Sequence, residues 1–159
     1  MQVIDYLVIA AVLGSGVVTG IFFTFSNFVM QALARLPKAQ GVAAMQAINI
    51  TVINPWAMIA MFGTGVVFIA AAILGMMDAE GTVFWLYLAG ALLYAVGCVG
   101  VTIVGNVPLN ERLAKPDPET DEAAELWDHY LVRWTLFNTT RTTASALACL
   151  VYAIALALA

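Results

Sequence analysis

Charge is scarce in this chain. Of its 159 residues only 10% are Asp, Glu, Lys or Arg, against 63% hydrophobic ones, a balance outside that of water-soluble domains and suited to lipid as the solvent. Charge is also missing in whole blocks, because residues 55 to 77 and 83 to 105 contain none. One large soluble core is thereby excluded, since its outer helices would need polar faces. With the nearly uncharged stretches 3 to 25 and 136 to 158, these blocks predict four spans of about 23 residues, or about 35 Å of helix each. The first stretch lacks a basic leader, carries Asp5 and exceeds the apolar run of a signal peptide, so it is expected to remain on the protein.

Metal-binding side chains are equally sparse. A single histidine, His129, excludes a bis-histidine haem within one chain. The two cysteines, Cys98 and Cys149, fall inside the third and fourth spans without a CxxC or Cys/His spacing, as small apolar packing residues do. Too few ligands lie close together for zinc, and the expectation is no metal and no other cofactor. The chain also lacks a basic stripe, and its net charge of −4 argues against nucleic acid as a partner.

What is present divides the chain into an all-α, four-helix transmembrane bundle forming a single domain over residues 1–159. Two long connections, 26 to 54 and 106 to 135, alternate with a short one at 78 to 81. Each half therefore reads helix, long connection, helix, and each long connection opens near an asparagine (Asn27, Asn106) and carries an Arg then a Lys (Arg35 and Lys38, Arg112 and Lys115). Beyond those landmarks the halves do not align. The basic residues Arg35, Lys38, Arg112, Lys115 and Arg133 all fall in the two long connections. By the positive-inside rule the long connections are expected to be cytoplasmic and both termini external, with a bacterial cytoplasmic membrane as the expected location.

Polar residues inside the fourth span carry the most information. On a 100° wheel, Trp127, Tyr130, Trp134, Asn138, Arg141, Ser145, Cys149 and Tyr152 share one face. The acidic run "ETDEAAEL" suits the first turns of a helix, and that helix can run unbroken into the membrane. Trp127, Tyr130 and Trp134 on their own would also suit an interfacial belt, with Arg141 snorkelling to headgroups. A lipid-facing guanidinium costs about 2.5–3.5 kcal/mol, however, and Asn138 lies on the same side, so the face is expected to point into the bundle. The third span offers a facing surface in Tyr87, Tyr94, Cys98 and Thr102, drifting toward Asn106; the first adds Ser15, Thr19 and Ser26. Gly14, Gly16 and Gly20 of the first span and Gly90, Gly97 and Gly100 of the third are expected to admit close helix approach. At the end of the third span, Asn106 is expected to cap released carbonyls and Pro108 to stop the helix. Asn110, Glu111 and Arg112 would then form a polar mouth near Trp134 and Asn138.

Four stretches carry a resemblance to a known family. "TIVGNVPLNERL" and "WDHYLVRWTLFNTTR", with "FTFSNFVMQALARLP" and "AMQAINITVINPW" upstream, resemble the small membrane proteins of the DUF1772, or anthrone-oxygenase-like, family. Where many members carry His after the asparagine of the second block, this chain has Thr139. The resemblance implies cofactor-independent oxidation of a phenolic, anthrone-like ring system by O2. Such chemistry needs an apolar slot, a base and donors for an enolate oxygen. On that reading Asn138 and Arg141 hold the oxyanion, Trp134 and Tyr130 face the ring, and Glu111 or His129 is the base, although His129 falls on the opposite face of the helix. Trp127, Asn106, Asn110, Arg112, Thr102 and Ser145 complete the candidate binding residues. The alternative is a non-catalytic membrane module that binds a lipid, quinone or partner helix. In either case the expected partners are the bilayer and a small apolar or aromatic ligand, with a homo-oligomer left open.

Overall fold

A computed structural model describes residues 2–78 and 81–159; Ala79 and Glu80 of the short connection lie outside the described residues. Among the described residues there are five helices and no strand. Four are long and apolar enough to cross a membrane, and they mark an integral membrane protein: α1 (Val3–Leu33), α3 (Pro55–Met77), α4 (Gly81–Leu113) and α5 (Asp121–Leu158). The fifth, α2 (Lys38–Thr51), lies in the first long connection. The spans form a ring in which α1 packs on α3 and α5, and α4 packs on α3 and α5, while α2 rests on α5.

The ends of these helices follow from local chemistry. Gln2 and Asp5 close a capping box at the start of α1, with the Gln2 backbone N–H donating to Asp5 Oδ2 at 2.7 Å. Asn54 Oδ1 accepts from the Ala57 N–H at 3.1 Å, and Pro55 takes the first position of α3, where a missing N–H costs nothing. Thr120 Oγ1 accepts from the Ala123 N–H at 3.3 Å, and Asp121 and Glu122 occupy the first turn of α5, so the acidic run does start that helix.

Three helices exceed the hydrophobic lengths read from sequence. α1 runs eight residues past residue 25, α4 eight past 105, and α5 begins fifteen before 136. Apolar length reports the part of a helix that lipid surrounds; a helix whose next turns pack on protein need not stop there. The two long connections are thus mostly helix, and only residues 114–120 link α4 to α5. The second half has no counterpart of α2, so the similar outline of the two halves does not extend through their connections.

The expected break at Asn106 and Pro108 does not occur. π-helical turns at Leu93–Gly100 and Thr102–Asn106 precede Pro108, which sits in the first turn of an α-helical segment that continues to Leu113. A proline ring normally clashes with the carbonyl four residues back and removes its donor; in a widened π-turn hydrogen bonding has already shifted to the fifth residue, and the chain passes through. Asn106 caps no carbonyl of its own helix. Its Nδ2 donates across to the Trp134 backbone carbonyl of α5 at 3.2 Å.

The extended helix ends build a second apolar cluster. The first, within the bundle, contains Val8, Val18, Phe22, Phe68, Tyr87, Tyr94, Cys98, Ala148 and Tyr152. The second contains Met30, Val42, Met45, Leu109, Leu113, Trp127, Tyr130 and Trp134, and α2 covers it. Gly41 of α2 admits the contact, since a Cβ there would stand 3.0 Å from the Trp127 ring. Gln46 Nε2 caps the end of α4 by donating to the carbonyls of Leu113 at 2.8 Å and Pro116 at 3.1 Å. The glycines divide. Gly14, Gly90 and Gly97 abut Thr64, Tyr152 and Ala144, whereas Gly16 and Gly20 have no neighbour within 4 Å and Gly100 meets only the Ala95 carbonyl of its own helix. The last three, expected to admit close helix approach, lie on faces turned away from the bundle's contacts.

Candidate functional site

Between the two apolar clusters lies a polar layer carried by α1, α4 and α5. On α5, Trp127, Tyr130, Trp134, Asn138, Arg141, Ser145 and Tyr152 are all buried, and Cys149 is partly so, forming one face along the helix. The guanidinium points inward, with Arg141 only 7% exposed. Its Nε and Nη2 donate to Asn138 Oδ1 at 3.0 and 2.9 Å, and its Nη1 donates to Thr102 Oγ1 at 3.2 Å. Phe22 and Trp134 lie across it, their ring centroids 3.9 and 5.2 Å from Cζ. Such cation–π contacts recover part of the hydration that a buried cation loses.

Among the described residues Arg141 has no counter-ion: the one ion pair joins Lys38 and Asp128 at 2.6 Å, at the exposed start of α5. A guanidinium has five N–H bonds; three are engaged, and the remaining two, one on each terminal nitrogen, have no acceptor among the described residues. Close by on α4, one helical turn beyond Thr102, Asn106 is 1% exposed and its Oδ1 is without a hydrogen-bond partner. An orphaned buried acceptor costs about 1–3 kcal/mol. The layer thus contains unused donors on Arg141 and an unused acceptor on Asn106.

Asn138 has a different place from the one its sequence position suggested. Its Nδ2 is spent on the Phe22 carbonyl at 2.7 Å and on Ser26 Oγ at 2.6 Å, and its Oδ1 is clamped by Arg141. It has no donor left for an oxyanion, and its geometry orients the guanidinium instead. Ser145 is likewise committed, donating to the Arg141 carbonyl at 2.8 Å and accepting from Thr19 Oγ1 at 2.9 Å. Thr102 donates to the Cys98 carbonyl at 2.8 Å while it accepts from Arg141.

Above this layer the aromatic part of the α5 face forms a stack. Trp127 and Tyr130 stand 5.7 Å apart and Tyr130 and Trp134 6.0 Å apart, with interplanar angles of 15° and 22°. Asn110 Oδ1 accepts from both Tyr130 OH at 2.7 Å and Trp134 Nε1 at 2.8 Å, which ties the end of α4 to α5. Asn110 therefore separates from its neighbours: Glu111 and Arg112 are exposed on the outer side of the turn. Arg112 and His129 instead line an open groove of about 470 Å³ with Lys115, Glu122, Glu125 and Leu126. Glu111 and His129, the two expected bases, have no hydrogen bond into the polar layer.

Phe22, Gln46 and Asn49 contribute contacts that sequence reasoning did not assign. Asn49 Nδ2 reaches Tyr130 OH at 3.5 Å. Gln46 and Asn49 are spaced by three, and with Val42 and Met45 they trace one face of α2; that period was the available signal. Nothing distinguishes Phe22 within its apolar run.

The family model for anthrone oxygenase matches residues 56–151. The chain belongs to the anthrone oxygenase family. The matched segment includes α3 from its second residue, all of α4 and most of α5, and with them Thr102, Asn106, Asn110, Trp134, Asn138 and Arg141. Phe22 and Ser26, which complete the guanidinium's surroundings, come from α1 outside it. No curated protein and no solved structure matches the chain.

Proposed function

We propose that this member of the anthrone oxygenase family oxidises a phenolic, anthrone-like ring system to its quinone with O2, using Arg141 as the cationic receptor for the substrate oxygen and no bound metal or flavin. The observation that carries this reading is a buried guanidinium that, among the described residues, has no carboxylate beside it and no acceptor for two of its N–H bonds. A charge kept in a low-dielectric layer without a protein partner is costly, and an anionic ligand removes that cost. An anthrone carbonyl becomes such an anion when its benzylic carbon loses a proton, because the negative charge spreads to the oxygen.

In this scheme Arg141 binds the developing enolate oxygen more strongly than the neutral ketone, so it lowers the barrier to deprotonation. Asn138 and Thr102 hold the guanidinium fork in place, and the ring lies along Trp134. Glu111 and His129 do not face Arg141, so the proton passes to water that arrives with the substrate. The enolate then gives its electrons to O2. A peroxide forms at the benzylic carbon and eliminates water, so that one O2 is consumed and one new carbonyl and one water are formed.

A cytoplasmic setting for the α2 end of the bundle is part of the same proposal, supported by the confinement of Arg35, Lys38, Arg112, Lys115 and Arg133 to the long connections. The test uses the purified chain in lipid nanodiscs with anthrone, following O2 uptake and anthraquinone absorbance together. The proposal expects consumption of O2 and formation of quinone in equal amounts, faster than in empty nanodiscs. Equal rates with and without the protein would refute it.

A further inference from the structure

The unused hydrogen-bonding groups of the polar layer are of two kinds. Arg141 offers donors; Asn106 offers an acceptor. A bare ketone or its enolate can satisfy only the first, since it has no hydrogen to give. We propose that Asn106 is a specificity-determining residue, whose Oδ1 accepts a hydrogen bond from a hydroxyl on the same ring system whose oxygen Arg141 holds. The inference rests on the proposed function for the aromatic class of the ligand, not for its turnover.

Three observations support it. Asn106 Oδ1 is buried and without a partner, so something outside the described residues must supply a donor or the acceptor is wasted. The amide is not free to turn and hide that oxygen, because its Nδ2 is anchored on the Trp134 carbonyl at 3.2 Å. The contacts of α4 with α5 also form an ordered series. Thr102 meets Arg141, Asn106 meets the Trp134 carbonyl, and Asn110 meets the Trp134 indole and Tyr130. Asn106 thus sits between the guanidinium and the aromatic stack, where a ring bound to Arg141 and lying on Trp134 would carry its substituents. A site built around a hydrogen bond rejects an analogue that lacks the bonding hydrogen, because its own buried group is then left unpaired.

The experiment measures binding of non-oxidisable probes to the chain in nanodiscs by quenching of tryptophan fluorescence. The probes are 2-hydroxyanthraquinone, 2-aminoanthraquinone and 2-fluoroanthraquinone, at a pH where the hydroxyl is protonated. All three have the quinone oxygen; the first two also carry a donor hydrogen, and fluorine is close to hydroxyl in size. Wild type is expected to bind the hydroxy and amino probes about tenfold or more tighter than the fluoro probe. Asn106→Leu, of similar volume, is expected to reduce that ratio to about two or less while retaining the fluoro probe. A wild-type ratio within about twofold overturns the inference even if Asn106→Leu does not fold, and so does a ratio that survives the substitution. If the hydroxy probe is preferred but anthrone is not oxidised, Asn106 keeps this role and the oxygenase reading fails. If anthrone is oxidised without any hydroxyl preference, the reverse holds.

Discussion

Replacing Arg141 separates a functional cation from one that only packs. The two free N–H bonds are assigned to the substrate oxygen, and hydrogen bonds to a charged group are worth about 1.5–3 kcal/mol each. Arg141→Ala removes both, about 3–6 kcal/mol together, and is expected to lower kcat/KM for anthrone by about two to four orders of magnitude. It also strands Asn138 Oδ1, which costs about 1–3 kcal/mol, but it relieves the burial of an unpaired charge. The two terms oppose each other, so the variant is expected to fold. Arg141→Lys retains the charge. Its compact ammonium would first be drawn to Asn138 Oδ1 and Thr102 Oγ1, which now take three bonds from the planar fork. Little is left for the substrate, and a loss of about tenfold to a hundredfold follows. The assay is quinone formation in nanodiscs, with each variant first shown to elute as wild type does on size exclusion. If both variants stay within about twofold of wild type, less than 0.5 kcal/mol, Arg141 is a packing residue and the site lies elsewhere.

The remaining predictions concern its supports. Asn138→Leu should loosen the guanidinium and reduce kcat about tenfold with little change in KM, since the residue orients Arg141 and has no donor for substrate; a rise in KM alone would contradict that positioning role. Asn110→Leu strands Tyr130 OH and Trp134 Nε1, each costing about 1–3 kcal/mol, and should lower Tm and alter near-UV circular dichroism; an unchanged Tm would show that water replaces the amide. Gly105→Ala should destabilise by about 1–3 kcal/mol, because its Cβ would stand 2.8 Å from the Phe137 ring, while Gly16→Ala and Gly20→Ala should be neutral; equal effects at all three would mean that these contacts do not set stability. Reporter fusions at residues 40 and 120 should report one side of the membrane and a fusion after Ala159 the other; matching signals from residues 40 and 159 would reverse this topology.

The α5 face was legible in the sequence because it obeys a single period. From Trp127 to Tyr152 no irregular turn interrupts the helix, so one wheel aligns aromatic, amide, guanidinium and hydroxyl groups on the side that proves to be buried. α4 was less legible. Its wheel worked from Tyr87 to Thr102, but its end was read from the usual effects of asparagine and proline, and the π-turns that admit Pro108 have no sequence signature. Glycine spacing could not indicate which glycines meet a neighbour, because that depends on which face each helix turns to the bundle. The spent amide of Asn138 was hidden for a related reason: its partners Phe22 and Ser26 are more than 110 positions away, and Phe22 contributes only a backbone carbonyl.

The π-turn at Thr102–Asn106 also makes the site tolerant of a change in chain length at one place. A π-turn accommodates one residue more than the α-helical turn it replaces, and each residue rotates a helix by about 100°. Deleting a single lipid-side residue there, such as the exposed Ile103, would let α4 relax into continuous α-helix without shortening its hydrophobic span appreciably. Everything beyond would keep its angle, because the turn that loses the residue still closes one revolution. Asn106 and Asn110 would stay opposite Trp134 and Tyr130, and Tyr87, Tyr94 and Cys98 below would keep their places. The same loss from α5, which has no wide turn to absorb it, as at the exposed Leu136, would rotate one end of that helix against the other by about 100° and put its donors and acceptors out of phase.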